Sequence, residues 1–203
     1  MTRYQTRLED SMYVIAEGTR ISMRRLMRSG FKNYIGRMSN WTGRYALSEK
    51  YMPFYPGYLL GRLWLLHKYT GEDEFKDLAM RILEPIIPDL CDRPLTSQAS
   101  GLDHYYGLCW AADITGDAQL QKAALRALDR MIDQLWSEKA QIFVISRGRT
   151  SVNVDATACL FGFPWAVKHD RGLSRISAPP PKPRRTSATS RPRPRPPIGG
   201  SPT

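Results

Sequence analysis

Two similar stretches each end in Thr-Gly and an acid: Gly-Arg-Leu-Trp-Leu-Leu-His-Lys-Tyr-Thr-Gly-Glu at Gly61–Glu72, and Gly-Leu-Cys-Trp-Ala-Ala-Asp-Ile-Thr-Gly-Asp at Gly107–Asp117. Their threonines, Thr70 and Thr115, are 45 residues apart. A period of this length is typical of helical hairpins that cover their apolar faces only by stacking on their neighbours. The sequence therefore predicts an all-helical fold in which Thr-Gly turns the chain between the two helices of each pair.

Apolar residues at helical spacing place helices on both sides of each turn. We expect Pro85 and Pro88 to distort the helix after the first turn. A third hairpin begins near Trp165 and is not completed in the sequence. The expected helices cover approximately residues 4–28, 58–69, 73–90, 102–114, 118–136 and 155–169, and residues 141–145 form either a short strand or a loop.

The composition changes abruptly at Arg171. From Arg171 onward there are seven arginines, one lysine and no acid, so the first 170 residues carry only +3 of the net charge of +11. Nine prolines and almost no large apolar residue predict a disordered tail over 171–203. A tail that binds nucleic acid or a proline-reading domain is one interpretation. The one we favour is a sequence without an evolved role, produced by a reading-frame change or a wrongly set gene boundary where the third Thr-Gly turn is due.

Several classes of protein are disfavoured by the sequence. Neither a signal peptide nor a membrane-spanning stretch is recognisable, and three distant cysteines favour reduced thiols in a cytoplasmic protein. We expect no metal site and no cofactor, because neither ligand spacing nor a phosphate-binding glycine loop is present. Nucleic-acid binding is expected only non-specifically, through the tail.

An aromatic-rich stretch, residues 31–56, lacks a sustained helical or strand period, and we interpret it as a long loop. Long loops in compact domains are usually functional, and Trp41, Phe54 and Tyr55 could stack on a sugar or another flat ligand. The alternative is that these aromatic residues only cover one end of the core.

The stretch resembles the first signature of the unsaturated glucuronyl hydrolases, glycoside hydrolase family 88, which are related to the rhamnogalacturonyl hydrolases. That signature, Trp-x-x-Gly-Phe-Trp-x-Gly-x-Leu-Trp-Leu ending in Tyr-Thr-Gly, lies without gaps on Phe54–Gly71, with Phe54 in place of the usual Trp. The matching residues are Gly57, Gly61, Leu63, Trp64, Leu65, Tyr69, Thr70 and Gly71.

Two further signatures follow in the family's order. Ile-Asp-x-Met-Met-Asn followed by Trp-Ala is similar to Val154–Ala166, and its aspartate falls on Asp155. His-Asp-x-Gly-Phe fits less well, because counting back from Thr115 without a gap puts Ala99 at the aspartate. One helical turn of slippage puts Asp103 there, with His104 beside it.

The resemblance covers about residues 1–170, roughly the first half of a family member, and implies part of an (α/α)6 barrel with about three of its six hairpins. In the family, a carboxylic acid protonates the C4=C5 bond of an unsaturated uronic acid, and water then adds at C5. The resemblance implies Asp155 as general acid and base, Asp103 as its assisting carboxylate, and a sugar site formed by Phe54, Trp41, Tyr55 and His104. Without it, Asp155 and Asp103 would be interpreted as helix caps.

Two hypotheses follow. The first is a glucuronyl-hydrolase-like enzyme domain acting on unsaturated uronic-acid oligosaccharides, truncated and inactive as written. The second is a non-catalytic helical-repeat fragment that binds polyanions through its tail. An open half-barrel should also leave inner-helix residues such as Leu59, Leu63, Trp110 and Phe163 uncovered and favour self-association.

Overall fold

The computed structural model describes residues 3–32, 34–39, 44–146, 151 and 154–169, with the backbone alone at 3–5 and 154–157. Its elements are α1 (Arg3–Arg28), β1 (Tyr34–Met38), β2 (Tyr45–Ser48), α2 (Tyr55–Thr70), α3 (Asp73–Leu83), α4 (Ile87–Cys91), α5 (Ser100–Leu102), α6 (Trp110–Thr115), α7 (Ala118–Leu135), β3 (Trp136–Ser137), β4 (Ile142–Phe143) and α8 (Gly162–His169). Two 3-10 segments, Glu84–Ile86 and Val154–Phe161, and a π-helical segment, Asp103–Cys109, complete the set. The predicted tail, 171–203, lies outside the described residues.

The first Thr-Gly turn joins α2 to α3. The Thr70 hydroxyl donates to the carbonyl of Leu66 (2.8 Å) and accepts from the N–H of Glu72 (3.1 Å). Gly71 adopts φ of 74°, a left-handed conformation that a glycine takes without strain and that ends the helix. The Thr-Gly pair therefore ends α2 and reverses the direction of the chain, so that α3 runs antiparallel to α2.

The second turn, between α6 and α7, repeats this geometry. Thr115 donates to the carbonyl of Ala111 (2.7 Å) and accepts from the N–H of Asp117 (3.2 Å), and Gly116 has φ of 68°. The Asp117 carboxylate then caps α7 by accepting from the N–H of Gln119 (2.6 Å). The sequence repeat thus encodes a repeated hairpin, as predicted.

The helices form two layers. Three inner helices pack side by side: α2, then the continuous helix made of α5, the π segment and α6, then the 3-10 segment Val154–Phe161 with α8. The outer helices α3 and α7 pack against the first and second of them. Between the layers lies the apolar core, in which Leu60, Trp64, Phe75 and Leu83 are completely buried.

Helix α1 lies at the edge of these layers, where Ala16, Met23 and Leu26 are buried and Arg20 forms ion pairs. Arg20 pairs with Glu72 and with Glu74 (3.1 Å) beside the first Thr-Gly turn, and its guanidinium lies 4.9 Å from the centre of the Phe75 ring. Further along α1, a groove of about 1080 Å³ separates the helix from α2.

Part of the predicted loop over residues 31–56 is in fact a β-hairpin. Strands β1 and β2 pair antiparallel, with Tyr34 opposite Ser48 and Ile35 opposite Leu47. Strands of five and four residues are too short to show a clear period, which is why the sequence did not reveal them. The stretch at 141–145 contains β4, which pairs with β3. No sheet in the described ranges has more than two strands, so the all-helical prediction is confirmed.

Two helices are less regular than the sequence indicated. The helix expected over 73–90 is divided by the 3-10 turn at Glu84–Ile86, at the prolines predicted to distort it. The helix expected over 102–114 begins at Ser100 and contains the π segment. Apolar spacing does not reveal a single wide turn, so the π segment was not predicted.

The expectation about uncovered inner-helix residues was wrong in part. Leu59 and Leu63 are 1% and 0% exposed because they face the core, and Trp110 and Phe163 are half-buried. The uncovered side of α2 instead carries Tyr58, Leu65 and Tyr69, each about half exposed. The sequence had identified an open helix but not the side that remains open.

Two further features concern the described residues only. Cys91, Cys109 and Cys159 are buried, free thiols. No helix in the described ranges combines the length and the apolar character that crossing a membrane requires.

Candidate active site at the N-terminal ends of the inner helices

The three inner helices begin at one end of the structure, since an outer helix returns the chain between each of them and the next. The connections at this end are the longest ones and contain both β-hairpins. Phe54, Ser100 and the backbone of Asp155 lie at or near these N-termini. The predicted site residues of the inner helices are therefore grouped at one end.

Asp103 lies at the centre of this end and is 0% exposed. Its Oδ2 accepts hydrogen bonds from the Tyr51 hydroxyl (2.5 Å) and from the backbone N–H of Phe54 (3.0 Å). Its Oδ1 accepts from the backbone N–H of Gly57 in the first turn of α2. One carboxylate thus joins the second inner helix to the start of the first.

Burial raises the pKa of Asp103 to about 7, although hydrogen bonds from Tyr51, Phe54 and Gly57 favour its charged form. The pKa of the Tyr51 phenol is raised well above its usual value, first by burial and then by the charge of Asp103. The Asp103 carboxyl therefore keeps its proton to a higher pH than an exposed aspartate does.

Asp103 is not the cap of its own helix. It lies inside a continuous helix that begins at Ser100, so the cap interpretation named the wrong helix. Its carboxylate instead caps α2 from 46 residues away in sequence, through Gly57. Phe54, which precedes α2, has φ of 91°, a strained conformation for a residue other than glycine. The hydrogen bond from the Phe54 N–H to Asp103 holds this conformation.

Aromatic rings beside Phe54 face the groove between α1 and α2. The Phe54 ring packs edge-on against Tyr58 at 4.8 Å and against Tyr55 at 5.5 Å. Phe54 and Tyr58 line the groove, together with Arg62. Half-exposed aromatic rings can stack on a sugar ring. A neighbouring arginine can pair with a carboxylate of the ligand. Trp41 lies outside the described residues.

The structure places His104 in the core, away from any surface that a ligand could reach. The residue is 0% exposed, and its Nε2 is 2.8 Å from the carbonyl oxygen of Ala124 on α7. Burial lowers the pKa of His104 to about 4, so the ring is neutral at physiological pH and Nε2 donates its proton to that carbonyl. In this structure His104 packs the second inner helix against α7.

The 3-10 segment that contains Asp155 lies against the start of the second inner helix. A Cβ atom on Gly101 would lie 2.5 Å from the carbonyl carbon and oxygen of Ala158, so only glycine allows the two backbones to approach this closely. The Cys159 thiol also donates to the carbonyl of Gln98 (3.3 Å). The backbone of Asp155 is thus placed beside this helix N-terminus, and its side chain lies outside the described residues.

The structure also shows where the residues of the ungapped alignment of the second signature, Ala99 and Gly101, lie. Gly101, which the ungapped count aligns with the family's glycine, is the residue at the close approach. That count aligns Ala99 with the family's aspartate, and Ala99 is half-buried at the N-terminus of α5. Ala99 is thus the less buried of the two candidate positions, and it has no carboxylate. Asp103, one helical turn further along, has the carboxylate but is buried.

Sequence reasoning missed a second polar network at this end. Asp89, 8% exposed, accepts from the Tyr34 hydroxyl (3.0 Å) and from Arg93 (3.0 Å), which also donates to Tyr34 (3.0 Å). The Tyr34 ring lies 6.4 Å from Tyr51, the other missed partner. Only the i,i+4 spacing of Asp89 and Arg93 was readable. Across the described ranges, no three His, Cys, Asp or Glu residues meet as a metal site would require.

No protein-family model matches the sequence, and no curated protein matches it. The structure is similar to the crystal structure of the unsaturated glucuronyl hydrolase from Bacillus sp. GL1, which is responsible for the degradation of glycosaminoglycan. The TM-score is 0.55 and the sequence identity is 22%, over 75% of this chain and 41% of the hydrolase. The chain thus spans about two fifths of that hydrolase, and at this identity the similarity establishes the fold alone: an incomplete (α/α)6 barrel.

Proposed function

We propose that this chain carries the acid-base part of an enzyme site that removes unsaturated uronic acid from oligosaccharides. The observation that carries the proposal is the grouping at one end of the inner helices, where the buried Asp103 holds the Phe54 backbone and the helix of Asp155 also begins. This arrangement occurs in a fold similar to that of an unsaturated glucuronyl hydrolase.

In the proposed reaction, the Asp155 carboxyl gives its proton to C4 of the C4=C5 bond, and the charge that develops at C5 is shared with the ring oxygen. The Asp155 carboxylate then accepts a proton from a water molecule, whose oxygen bonds to C5. The resulting hemiketal opens and releases the aglycone sugar. The acid must hold a proton near neutral pH, which requires that burial or a neighbouring carboxylate raise its pKa.

Asp103 acts in this proposal as a positioning residue. Its oxygens are occupied by Tyr51, Phe54 and Gly57, and it is completely buried, so it does not reach a sugar directly. It fixes the start of α2 and therefore the Phe54 ring, which faces the groove. The sugar would stack on Phe54 and Tyr55.

A single copy of the chain is expected to turn over substrate very slowly or not at all. A general acid is effective only when the substrate is held within reach and water is controlled. The three inner helices of the described residues form only about half of a closed barrel, so the opposite side of the site is missing from a single copy.

The test uses an unsaturated glucuronyl disaccharide and follows the loss of the ultraviolet absorbance of its C4=C5 bond. Two proteins are compared: the 203-residue chain, and a chain extended past Asp170 by helical-hairpin sequence from another reading frame of the same gene. We expect turnover only from the extended chain, and a loss of about a hundredfold or more in its Asp155→Asn variant.

Asp133→Asn provides the matched control, because Asp133 is exposed on α7 and the substitution makes the same chemical change. It should leave turnover unchanged. Full activity of a folded Asp155→Asn variant would show that Asp155 is not the general acid and serves only as a helix cap. An extended chain that folds without turnover, while the original chain binds polyanions through residues 171–203, would favour the non-catalytic alternative.

A further inference from the structure

The first inner helix has one uncovered stripe. Tyr58, Arg62, Leu65 and Tyr69 follow one another at helical spacing along one side of α2. Tyr58 and Leu65 are each 52% exposed and Tyr69 is 49% exposed, whereas Leu59, Leu60, Leu63, Trp64 and Leu66 of the same helix are buried. This stripe borders the groove of about 1080 Å³ between α2 and α1.

The opposite wall of the groove belongs to α1 and carries apolar and small side chains without a charge. Met12, Ile15, Thr19 and Ser22 recur along it with spacings of three and four residues. The walls thus present two helix faces with a space between them. A groove of this shape is suited to an amphipathic helix that places its apolar side between the two walls.

The last inner helix carries a second uncovered stripe. Leu160, Phe161 and Val167 are 47%, 41% and 61% exposed, and Pro164 between them is exposed as well. The other side of this helix packs against α7 and against the π segment. The two stripes therefore lie on the first and last inner helices, at the two edges of the layer.

We propose that a second copy of this chain covers both edges, with Leu160, Phe161 and Val167 of each copy packed into the α1–α2 groove of the other. A closed (α/α)6 barrel has six inner helices, and the described part of each chain supplies three, so two copies related by a twofold axis complete the ring. In each contact, the last inner helix of one copy meets the α1–α2 groove of the other. The two copies form this contact twice, so the assembly closes as a dimer and does not grow into a chain of copies.

The other segment of the chain that could cover the groove is its C-terminal part, residues 171–203. That sequence contains seven arginines, nine prolines and very few large apolar residues. It lacks an apolar helical stripe to match Tyr58, Leu65 and Tyr69. A second copy supplies such a stripe on its last inner helix. A stable interface buries roughly 800 Å² per partner, and here each copy buries two surfaces, its groove and its last inner helix. The second copy would occupy the groove that Phe54 and Tyr58 also line, so this assembly and sugar binding inside the groove exclude each other. The oligomeric state is measured without reference to activity.

The test is sedimentation velocity on the full 203-residue chain. We expect a species of twice the chain mass that dissociates on dilution. Leu65→Asp and Val167→Lys should each weaken dimerisation about tenfold or more, because a charge would enter an apolar contact. Leu47→Asp is the matched control: Leu47 is 46% exposed on β2 and does not line the groove, so the substitution should leave the dimer intact.

Mixing the two variants distinguishes the proposed contact from others. A Leu65→Asp chain and a Val167→Lys chain together keep one unmodified contact and place opposite charges at the other, so the mixture should dimerise more tightly than either variant alone. If Leu65→Asp does not retain the helical circular-dichroism spectrum, Tyr69→Asp, one turn away, takes its place.

Four results would overturn the proposal. The first is a monomer throughout the accessible concentration range. The second is a dimer that Val167→Lys does not weaken, because the contact would then join α2 to α2. Open, growing oligomers would show that the contact does not close a ring. A dimer that forms only after deletion of residues 172–203 would show that the C-terminal segment is the occupant of the groove.

Discussion

Between about pH 4 and pH 7 the chain is expected to lose about 4 kcal/mol of folding stability through Asp103 alone. The carboxyl has a pKa of about 7 in the folded chain, against 3.8 for an unperturbed aspartate. Within this window the folded state keeps a proton that the unfolded state has released, so each rise in pH favours unfolding. The stabilising contribution of Asp103 is fully present below pH 3.8. It is lost as the pH rises through about 7, and above that pH it changes no further.

Urea unfolding of the wild type and of Asp103→Asn, measured from pH 4 to pH 8, checks this expectation. The amide resembles the protonated carboxyl and does not titrate, so the variant should lack this part of the pH dependence. Asp133→Asn should retain it, because that residue is exposed. Parallel pH profiles for the wild type and Asp103→Asn would show that Asp103 is not held in the buried network with Tyr51 and Gly57.

Gly101→Ala is expected to destabilise the chain by about 3 kcal/mol or more. The new Cβ would lie 2.5 Å from backbone atoms of Ala158 and 2.6 Å from the backbone nitrogen of Cys159. Backbone atoms cannot rotate away as a side chain can, so the two inner helices must separate. The separation would also displace the segment that contains Asp155.

Gly18→Ala is the control for this change. Gly18 lies within α1 with no atom within 4 Å of its added Cβ, so the substitution should stabilise the helix by about 0.5–1 kcal/mol. Both variants are compared with the wild type by urea unfolding at one pH. Equal stabilities for the two variants would mean that the second and third inner helices are not in backbone contact.

The sequence by itself determined the features that depend on neighbours in the chain. Every hydrogen bond that shapes the Thr70 and Thr115 turns joins residues no more than four positions apart, so the repeat of these residues was sufficient to predict both hairpins. The prolines that interrupt the helix after α3 act locally as well. Short strands and a π segment give weaker local signals, and for that reason β1, β2 and the segment at Asp103–Cys109 were missed.

Only the tertiary structure decided what the site residues do. Asp103 could be named from a motif, but its partners Tyr51, Phe54 and Gly57 are 46 to 52 positions away, and their approach creates both its burial and its raised pKa. Helical spacing likewise could not show that Leu63 is buried and Leu65 uncovered, since both belong to an apolar helix and differ only in which neighbours pack against them. Burial depends on contacts between distant segments, and a local pattern does not contain them.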